Sequence, residues 1–232
     1  MPYKEMVSHV TFLIPTINRF DLLENLLHQV ESQTKKPDQL VIVDNSNGKF
    51  SLPDSFPIKT QIVVADNIGY SGAVNVGYKK AKDFLIVCGD DDGISIDAVE
   101  LFVKYANSNL DYIFFNPATL GPKGFGIFGV RVKKAIESVG YWDEAFYPAY
   151  YEDVDYARRM QIAGLEMCHV NESVFYLGGE NAGIASSLKS ASTQLNMDLE
   201  AGIISNRNRY RRKWGGEPNQ EKYTVPFNLT QV

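Results

Sequence analysis

The residues best suited to chemistry are three consecutive aspartates, Asp90, Asp91 and Asp92, directly after the apolar run 84–88. Neighbouring carboxylates repel one another and raise one another's pKa unless a cation neutralises them. A hard divalent ion suits such a cluster, because it keeps some of its waters and also binds substrate phosphates. In an extended chain Asp90 and Asp92 share one face and Asp91 takes the other, until Gly93 turns the chain. The cluster predicts a metal-diphosphate site, and the alternative is an aspartate-rich turn without a metal.

Polar residues also follow two earlier apolar runs. Thr16 and Asn18 come after the run 10–14, and Asp44 comes after the run 40–43. Ligands of open α/β sheets bind beyond the carboxyl ends of the strands, so these side chains are placed to meet one ligand. A carboxylate there accepts hydrogen bonds from a base or from ribose hydroxyls. Ordinary turn formation by Asp and Asn side chains is the alternative.

A glycine-containing segment at 66–77 leads into a predicted helix and includes Asn67, Gly69, Gly72 and Asn75. Backbone N–H groups at a helix start can face an anion or a nucleotide. The glycine spacing matches neither a P-loop nor a dinucleotide-binding fingerprint. A glycine-loosened turn with close helix packing is the alternative.

Aromatic residues lie beside acids at Trp142 and Asp143, and again at Tyr151, Glu152 and Asp153. Ring faces cover the apolar patches of sugars and carboxylates hold their hydroxyls, so the pattern is typical of a sugar site. Acids are also favoured in the first turn of a helix by its macrodipole, and this explanation stays open for Asp153.

Two other charged features have structural explanations. Asp155 can pair with Arg158 or Arg159 one helical turn later. The basic stretch 207–213 suits the last turn of a helix. The functional alternative for that stretch is weak attraction to an anionic membrane surface.

These residues are positioned by β-rich runs that alternate with helical patterns through about residue 180, which is typical of an α/β sheet with helices packed against it. The predicted strands are 10–14, ended by Pro15, then 40–43, 61–64, 84–88, 112–115 and 126–130. The predicted helices are one that begins near Asp21 with an Asp21–Glu24 capping pattern, then 71–82, 97–106, 152–163, ended by Gly164, and 194–213.

Composition narrows the class of protein. The 232 residues, 44% of them hydrophobic and 22% charged, suffice for one globular domain with an appended C-terminal element. A net charge of −5 gives no general attraction to nucleic acid. Cys88 and Cys168 form no metal-binding pattern and are expected to be reduced. With no signal segment or membrane span in the sequence, a cytoplasmic protein is expected.

Together and in this order, the segments resemble the family 2 glycosyltransferases. The resemblance covers about residues 8–180 and implies an α/β GT-A fold with a mixed, mostly parallel sheet flanked by helices. It also implies a catalytic domain at 1–180, with a nucleotide-binding half at about 8–95 and an acceptor-binding half at about 96–180, and a C-terminal helical extension at 181–232 packed on it. The matching segments are 12–19, 42–46, 67–75, 90–92 and 151–159.

The resemblance implies roles for individual residues. Asp90 and Asp92 would form the DXD pair that binds Mn²⁺ or Mg²⁺ on the diphosphate, and Asp153 would be the general base. A UDP-, dTDP- or GDP-linked sugar donor would contact Pro15, Thr16, Asn18, Arg19, Asp44, Asn67, Gly69, Gly72, Asn75 and Asp91. The acceptor would contact Trp142, Asp143, Tyr151 and Glu152.

The activity implied is inverting hexosyl or pentosyl transfer to a glycan or lipid-linked acceptor, as in polysaccharide biosynthesis at the inner face of a membrane. One departure concerns the metal, because Tyr176 and Leu177 stand where many members carry a ligating histidine, and His169 lies earlier. Two other interpretations stay open. One is an inactive homologue that binds nucleotide or glycan, and the other is a haloacid-dehalogenase-like phosphatase, whose Asp-x-Asp-x-x-Ser/Thr motif fits Asp90 to Ser95.

Overall fold

The structure is a computed structural model and describes residues 6–108, 112–115, 125–165, 167–170, 175–177 and 198–228. At 112–115, 167, 169–170 and 175–177 it describes the backbone alone. The predicted loops at 117–126 and 178–192 therefore lie largely or wholly outside the described residues.

The described strands follow the apolar runs of the sequence and add three short ones. They are β1 Val10–Thr16, β2 Gln39–Asp44, β3 Thr60–Val64, β4 Phe84–Val87, β5 Asp92–Ile94, β6 Tyr112–Phe115, β7 Phe128–Arg131, β8 Met167–Val170 and β9 Phe175–Leu177.

The helices alternate with these strands as far as β8, and a last one lies near the C-terminal end of the described chain. They are α1 Phe20–Glu31, α2 Gly69–Lys80, α3 Ala98–Asn107, α4 Val132–Ser138, α5 Glu152–Ile162 and α6 Leu199–Trp214.

Seven strands form one mixed sheet in the order β3-β2-β1-β4-β7-β6-β8. The pairs β3–β2, β2–β1, β1–β4 and β6–β8 are parallel, and β7 runs antiparallel to both its neighbours. The remaining strands, β5 and β9, pair antiparallel as a separate small sheet. The carboxyl ends of β1, β2 and β4 therefore meet at one edge, where the polar residues of the sequence follow them.

Both faces of the central strands are buried, which explains why their sequences are continuous apolar runs. Successive side chains alternate between the faces. Phe12, Ile14 and Ile42 pack with α1 and α3 on one face. Leu13 and Val43 pack with α2 and α5 on the other.

Two sequence-based details were wrong. Pro15 does not end β1, which continues to Thr16 and pairs with β2 there. Proline fits this position because β4 ends its pairing with β1 at Leu13, so no ladder N–H is lost. Asp21 and Glu24 form no capping box, because the N-cap residue of α1 is Arg19 and Asp21 lies inside the first turn, paired with Arg19 at 2.9 Å.

The C-terminal helix α6 packs against the segment that leads into α5 and against the first turn of α5. Its N-cap Asp198 accepts a hydrogen bond from the Ala201 N–H at 2.9 Å, and Gly215, with φ of 76°, closes its C-terminal end. Tyr210 and Trp214 are fully buried against Phe146. The division at residue 180 stays a prediction, because 178–197 lie outside the described residues.

Of the helices in the described parts of the chain, none combines the length and the apolar character required to cross a bilayer.

Candidate functional site

A cavity of about 190 Å³ opens at the sheet edge where β1 and β4 end. This volume is smaller than the roughly 300–1,000 Å³ of pockets that enclose a whole drug-sized ligand, so it suits part of a larger molecule. We call it the edge pocket. Its walls are Pro15, Thr16, Ile17, Asn45, Asn67, Gly69, Tyr70, Gly89, Asp90, Asp91, Pro148, Ala149, Tyr150 and Glu152.

The end of β1 is joined to the acidic turn by a side-chain hydrogen bond. The Thr16 hydroxyl donates to Asp90 Oδ2 at 2.6 Å, and the Asp90 residue is only 2% exposed. The bond fixes one carboxylate at the floor of the edge pocket. Asp91 lines the same pocket from the next position.

The acidic residues lie in a turn, so the expected alternation of Asp90 and Asp92 on one face with Asp91 on the other is wrong. The Asp92 N–H donates to the Gly89 carbonyl at 3.2 Å, and the Gly89 N–H donates to Asp92 Oδ2 at 3.1 Å. Asp92 then begins β5, which also contains Gly93. Burial and the charges of Asp91 and Asp90 raise the pKa of Asp92 well above its usual value, although the Gly89 N–H opposes this.

This acidic turn suits a divalent cation. A buried carboxylate with a raised pKa lacks positive charge nearby, and oxygen ligands are those that Mg²⁺ and Mn²⁺ prefer. Within the described part of the chain, no three His, Cys, Asp or Glu side chains form a metal-binding group. A site here would thus use one or two carboxylates together with oxygens from a ligand.

The backbone shows what faces the acidic turn. β9 pairs with β5 so that Leu177 lies opposite Asp92 and Tyr176 lies opposite Gly93. The residue beside Asp92 on the paired strand is therefore a leucine, which cannot bind a metal. His169 lies in β8, and its side chain is outside the described part.

Asp44, expected to contact a nucleoside, lies in the protein interior. It is 0% exposed, and its carboxylate accepts hydrogen bonds from the Ser46 N–H at 2.8 Å and the Phe50 N–H at 3.1 Å. This is the turn formation that was the alternative explanation. Asn18 takes a left-handed conformation, with φ of 55°, and its N–H donates to the Ser46 hydroxyl at 2.7 Å. Neither Asp44 nor Asn18 is among the residues that line the edge pocket.

Arg19 stands just outside the pocket and pairs with Asp21. The pKa of Arg19 is raised mainly by this pairing, and Asp90 and Asp91 add to it. The Arg19 guanidinium is therefore close enough to interact electrostatically with Asp90 and Asp91.

The start of α2 forms another wall of the edge pocket. Asn67 and Gly69 have φ of 38° and 72°, and both line the cavity. Glycine is required at 69, because a Cβ atom there would lie 2.8 Å from the Pro148 carbonyl oxygen. Gly72 is buried one turn further along, where a Cβ would lie 3.0 Å from Ile68 Cβ.

Asn75 and Trp142, expected to contact donor and acceptor, instead contact each other. Asn75 Nδ2 donates to the Trp142 carbonyl at 3.0 Å, and the Trp142 N–H donates to Asn75 Oδ1 at 2.9 Å. The Trp142 ring is 2% exposed and stacks on Tyr156 at 4.5 Å. The expectation that Trp142 meets a sugar is corrected here, because the core covers both ring faces, with Phe128 stacked 5.6 Å away.

Asp143, also expected to contact the acceptor, is engaged by α6. Lys213 Nζ lies 2.8 Å and Arg209 NH2 3.0 Å from Asp143 Oδ2. Burial alone would raise the pKa of Asp143, but Lys213 and Arg209 outweigh it and lower the pKa to about 2. Its carboxylate is thus held for a structural role.

The start of α5 brings two acids beside the edge pocket. Glu152 is 7% exposed and lines the pocket rather than an acceptor surface, and its Oε2 has no hydrogen-bond partner among the described residues. Burial and the neighbouring Asp153 raise the pKa of Glu152 well above its usual value. Asp153 Oδ1 accepts from the Val154 N–H at 2.8 Å, and Oδ2 lies at 3.5 Å from the Phe125 N–H. Burial also raises the pKa of Asp153, which suits a carboxylate that accepts a proton near neutral pH.

The residue before these acids, Tyr151, packs its ring 5.9 Å from that of Tyr210 and does not line the edge pocket. Sequence reasoning missed Asn45, Tyr70 and Tyr150 as pocket residues. Asn45 follows a strand as Asp44 does, and its Oδ1 accepts from the Ile68 N–H at 3.1 Å. Tyr150 belongs to the same aromatic and acidic stretch as Tyr151, and only the fold shows that Tyr150 rather than Tyr151 lines the pocket. No local pattern marks Tyr70, which reaches the pocket from α2.

Comparison with known proteins identifies the family of the chain. Residues 11–125 match the family model described as glycosyl transferase family 2. This range covers about half of the chain and includes β1 to β4 and the acidic turn, while Asp153 lies beyond it. No curated protein matches the sequence.

Solved structures with the same architecture include a mannosyltransferase and S. aureus TarS. The mannosyltransferase PcManGT from Pyrobaculum calidifontis, in complex with GDP-Man and Mn²⁺, superposes with a TM-score of 0.59 at 13% identity, over 85% of this chain and 72% of that one. S. aureus TarS 1–349 in complex with UDP-GlcNAc gives a TM-score of 0.57 at 13% identity, over 88% and 72%. A longer TarS chain is covered to 43%. At this identity the likeness shows a shared fold.

Proposed function

The chain belongs to glycosyl transferase family 2 and has the GT-A fold, and from this premise we propose that it moves a sugar from a nucleotide-diphosphate donor to a hydroxyl group of a glycan or lipid-linked acceptor. The transfer inverts the anomeric configuration. UDP-, GDP- and dTDP-linked sugars are the candidate donors, and the two relatives above were solved with GDP-Man and UDP-GlcNAc.

One observation supports this proposal most. The edge pocket joins the carboxyl ends of β1 and β4 to the start of α5, so that Asp90, Asp91 and Glu152 line one cavity and Asp153 follows immediately. This arrangement supports a site in which an anionic donor binds close to a proton acceptor. In this proposal residues 8–95 hold the donor and residues 96–180 present the acceptor.

The reaction is a single displacement. The acceptor oxygen forms a bond to the anomeric carbon while the bond from that carbon to the diphosphate oxygen breaks. Asp153 takes the proton of the acceptor hydroxyl, which its raised pKa suits. Attack from the face opposite the leaving group inverts the configuration.

The acidic turn would hold the metal. Asp90 and Asp92 are the proposed ligands of Mn²⁺ or Mg²⁺, with the donor diphosphate supplying further oxygens. A bound ion would neutralise the charge that develops on the departing diphosphate. Thr16 positions Asp90 for this role through their hydrogen bond.

The test compares the wild type with Asp153→Asn on a panel of UDP-, GDP- and dTDP-sugars with Mn²⁺, measuring transfer and donor hydrolysis. We expect the variant to be at least about 100-fold slower, which is the usual contribution of a general base. It should keep the rise in melting temperature that a bound donor produces. The matched control is Asp54→Asn, an exposed acid remote from the pocket, which should match the wild type. Equal rates for the wild type and Asp153→Asn would remove Asp153 as the base.

A second candidate is a homologue that binds a nucleotide sugar without catalysis. The observation in its favour is Leu177, which lies opposite Asp92 where a ligating residue would complete a metal site. Donor-dependent stabilisation without turnover on any donor or acceptor would support this candidate. Neither stabilisation nor turnover would overturn both candidates.

The phosphatase interpretation is disfavoured by the family match and by the position of the aspartates. Such enzymes carry the nucleophilic aspartate after the first strand of the sheet, whereas Asp90 follows β4. Release of phosphate from simple phosphomonoesters would be the result that restores it.

A further inference from the structure

The segment 147–151 connects the two sides of the edge pocket, and its backbone is unusual. Tyr150 and Tyr151 are consecutive non-glycine residues in the left-handed region, with φ of 74° and 72°. Bulky residues rarely adopt this conformation, and it persists only where the surrounding structure imposes it. Glu152 and Asp153 follow at once, so this bend sets the direction in which both acids point.

The bend is held from one side by the start of α2. The Tyr70 N–H donates to the Pro148 carbonyl oxygen at 2.9 Å, and the missing side chain of Gly69 leaves room for that approach. This contact fixes the beginning of the segment and leaves the two left-handed residues to be fixed from elsewhere.

The second set of contacts that fixes the bend comes from α6. Asn206 is 2% exposed, and its Nδ2 group donates to the Ala149 carbonyl at 2.9 Å and to the Tyr150 carbonyl at 3.1 Å. The two N–H groups of one side-chain amide thus donate to consecutive carbonyl groups of the bend. A primary amide supplies two such donors from one nitrogen, which a carboxylate cannot do.

The helix that carries Asn206 is itself fixed on both sides of this residue. Gly202, one turn earlier, lies close enough to Pro148 that a Cβ would be 3.0 Å from its ring. Trp214 and Lys213, two turns later, both contact the buried carboxylate of Asp155 at 2.8 Å. Asn206 is therefore presented to the bend by a helix that cannot easily move away.

From these contacts we propose that Asn206 is a positioning residue for the transfer reaction, which holds the left-handed bend at Tyr150 and Tyr151 and so places the carboxylate of Asp153. The C-terminal helix thereby belongs to the machinery of the site although it contributes no group to the pocket. The kinetic part of this inference rests on the proposed function. A displacement of about 1 Å at a reacting group can cost about 100-fold in rate.

The test uses Asn206→Ala, which removes both donors, and Asn206→Asp, which keeps the shape. We expect kcat to fall about 10- to 100-fold in both, with the donor KM within about twofold of the wild type, because the pocket walls formed by β1, the acidic turn and the start of α2 stay in place. As pH falls, the protonated form of the introduced aspartate regains one donor, so the rate of Asn206→Asp relative to the wild type should rise. The matched controls are Asn208→Ala and Asn208→Asp, made at an exposed position of the same helix, which should match the wild type.

A structural measurement separates this inference from the proposed function. The crystal structure of Asn206→Ala should show Tyr150 or Tyr151 relaxed to negative φ and the Asp153 carboxylate displaced. An unchanged bend, or an unchanged kcat in an active wild-type background, would overturn the role of Asn206. An inactive wild type with a relaxed bend in the variant would support the positioning role and count against the transferase.

Discussion

At neutral pH the Asp92 carboxyl group lies in surroundings that disfavour its charge. Burial is the main cause, and Asp91 and Asp90 add like charges, while one backbone N–H from Gly89 opposes them. Natural sites often retain such destabilising groups because function requires them. Keeping Asp92 ionised in these surroundings costs free energy, as expected for a carboxylate that binds a cation when that cation is absent.

Asp92→Asn should therefore stabilise the protein and impair the reaction. The amide oxygen can still accept from the Gly89 N–H, and the buried charge is removed, so we expect a gain of about 1 kcal/mol and a higher melting temperature at pH 7 without metal. Transfer with Mn²⁺ should fall at least about tenfold, because a metal ligand is lost. Thermal unfolding and the transfer assay measure the two effects, with Asp54→Asn again as the neutral control. A lower melting temperature would mean that the charge of Asp92 is already compensated.

At the scale of the elements, α6 is joined to the sheet domain by several charged contacts. Asp155 is 0% exposed and accepts from Trp214 Nε1 and Arg159 Nε, and it also contacts Lys213. Lys213 itself is nearly buried and reaches Asp143 as well. Because desolvated charges are costly alone, each member of this set depends on the others.

Lys213→Met tests that dependence at the element scale. Removing one partner of a buried ion pair usually costs about 3–5 kcal/mol, and we expect the lower end here because Asp155 keeps Arg159. The control is Arg212→Met on the exposed face of the same helix, where a surface change should stay within about 0.5 kcal/mol. Urea unfolding midpoints of the two variants give the comparison. Equal midpoints would show that α6 is held by its apolar contacts alone.

The elements that sequence patterns predicted best are those with strong local signals. The buried runs at β1 to β4 correspond to observed strands, and the helical spacing of Leu22, Leu23, Leu26, Leu27 and Val30 corresponds to α1. Leu22, expected in the core with the others, is only half-buried. The stop at Gly164 is confirmed by its φ of 68° after α5. The short strands β5 and β9 were missed because their pairing joins residues far apart in sequence, and three residues carry no readable period.

The site was harder to predict than the fold, for a related reason. Thr16, Asp90 and Glu152 were singled out in the sequence as polar groups near strand and helix ends, and the fold brings them to one cavity, while their roles stay predictions. Asp44 and Trp142 were expected to contact a ligand, but both side chains are buried. The Asp44 carboxylate accepts backbone hydrogen bonds, and the Trp142 ring fills the core. A sequence shows which residues can do chemistry, but long-range packing decides which of them face a ligand.

At the scale of the whole molecule, the charges divide into two groups with opposite effects on stability. Glu152 lines the edge pocket, Asp92 and Asp153 each directly follow a lining residue, and all three have raised pKa values, mainly through burial. Asp143 lies under α6 with its pKa lowered to about 2, where Lys213 and Arg209 outweigh burial. The site therefore costs stability at neutral pH, and the α6 contacts restore part of it.

This division predicts how stability depends on pH. Asp92, Glu152 and Asp153 have higher pKa values in the folded state than in the unfolded state. Above about pH 4 the folded state therefore binds more protons than the unfolded state, and the free energy of unfolding falls as pH rises toward neutrality. For Asp143 the sign is reversed: its stabilising contribution is complete above about pH 4 and is lost as pH falls through about 2. Its full shift corresponds to about 2 kcal/mol, and solvent screening of this partly exposed pair reduces that to about 1 kcal/mol.

The melting temperature of the metal-free protein should accordingly be higher at pH 5 than at pH 7.5 and should fall below about pH 4. Scanning calorimetry across pH 3–8 measures the profile. The double variant Asp92→Asn, Glu152→Gln removes two of the three raised groups and should make the decline between pH 5 and 7.5 shallower, because Asp153 is then the one member of the set that still binds protons differentially there. It should leave the acid decline in place, since Asp143 and its partners in α6 are unchanged. A wild-type melting temperature that rises steadily from pH 5 to 8 would contradict the assignment of uncompensated charge to the edge pocket, and with it the argument that this pocket is built for a cation and an anionic donor.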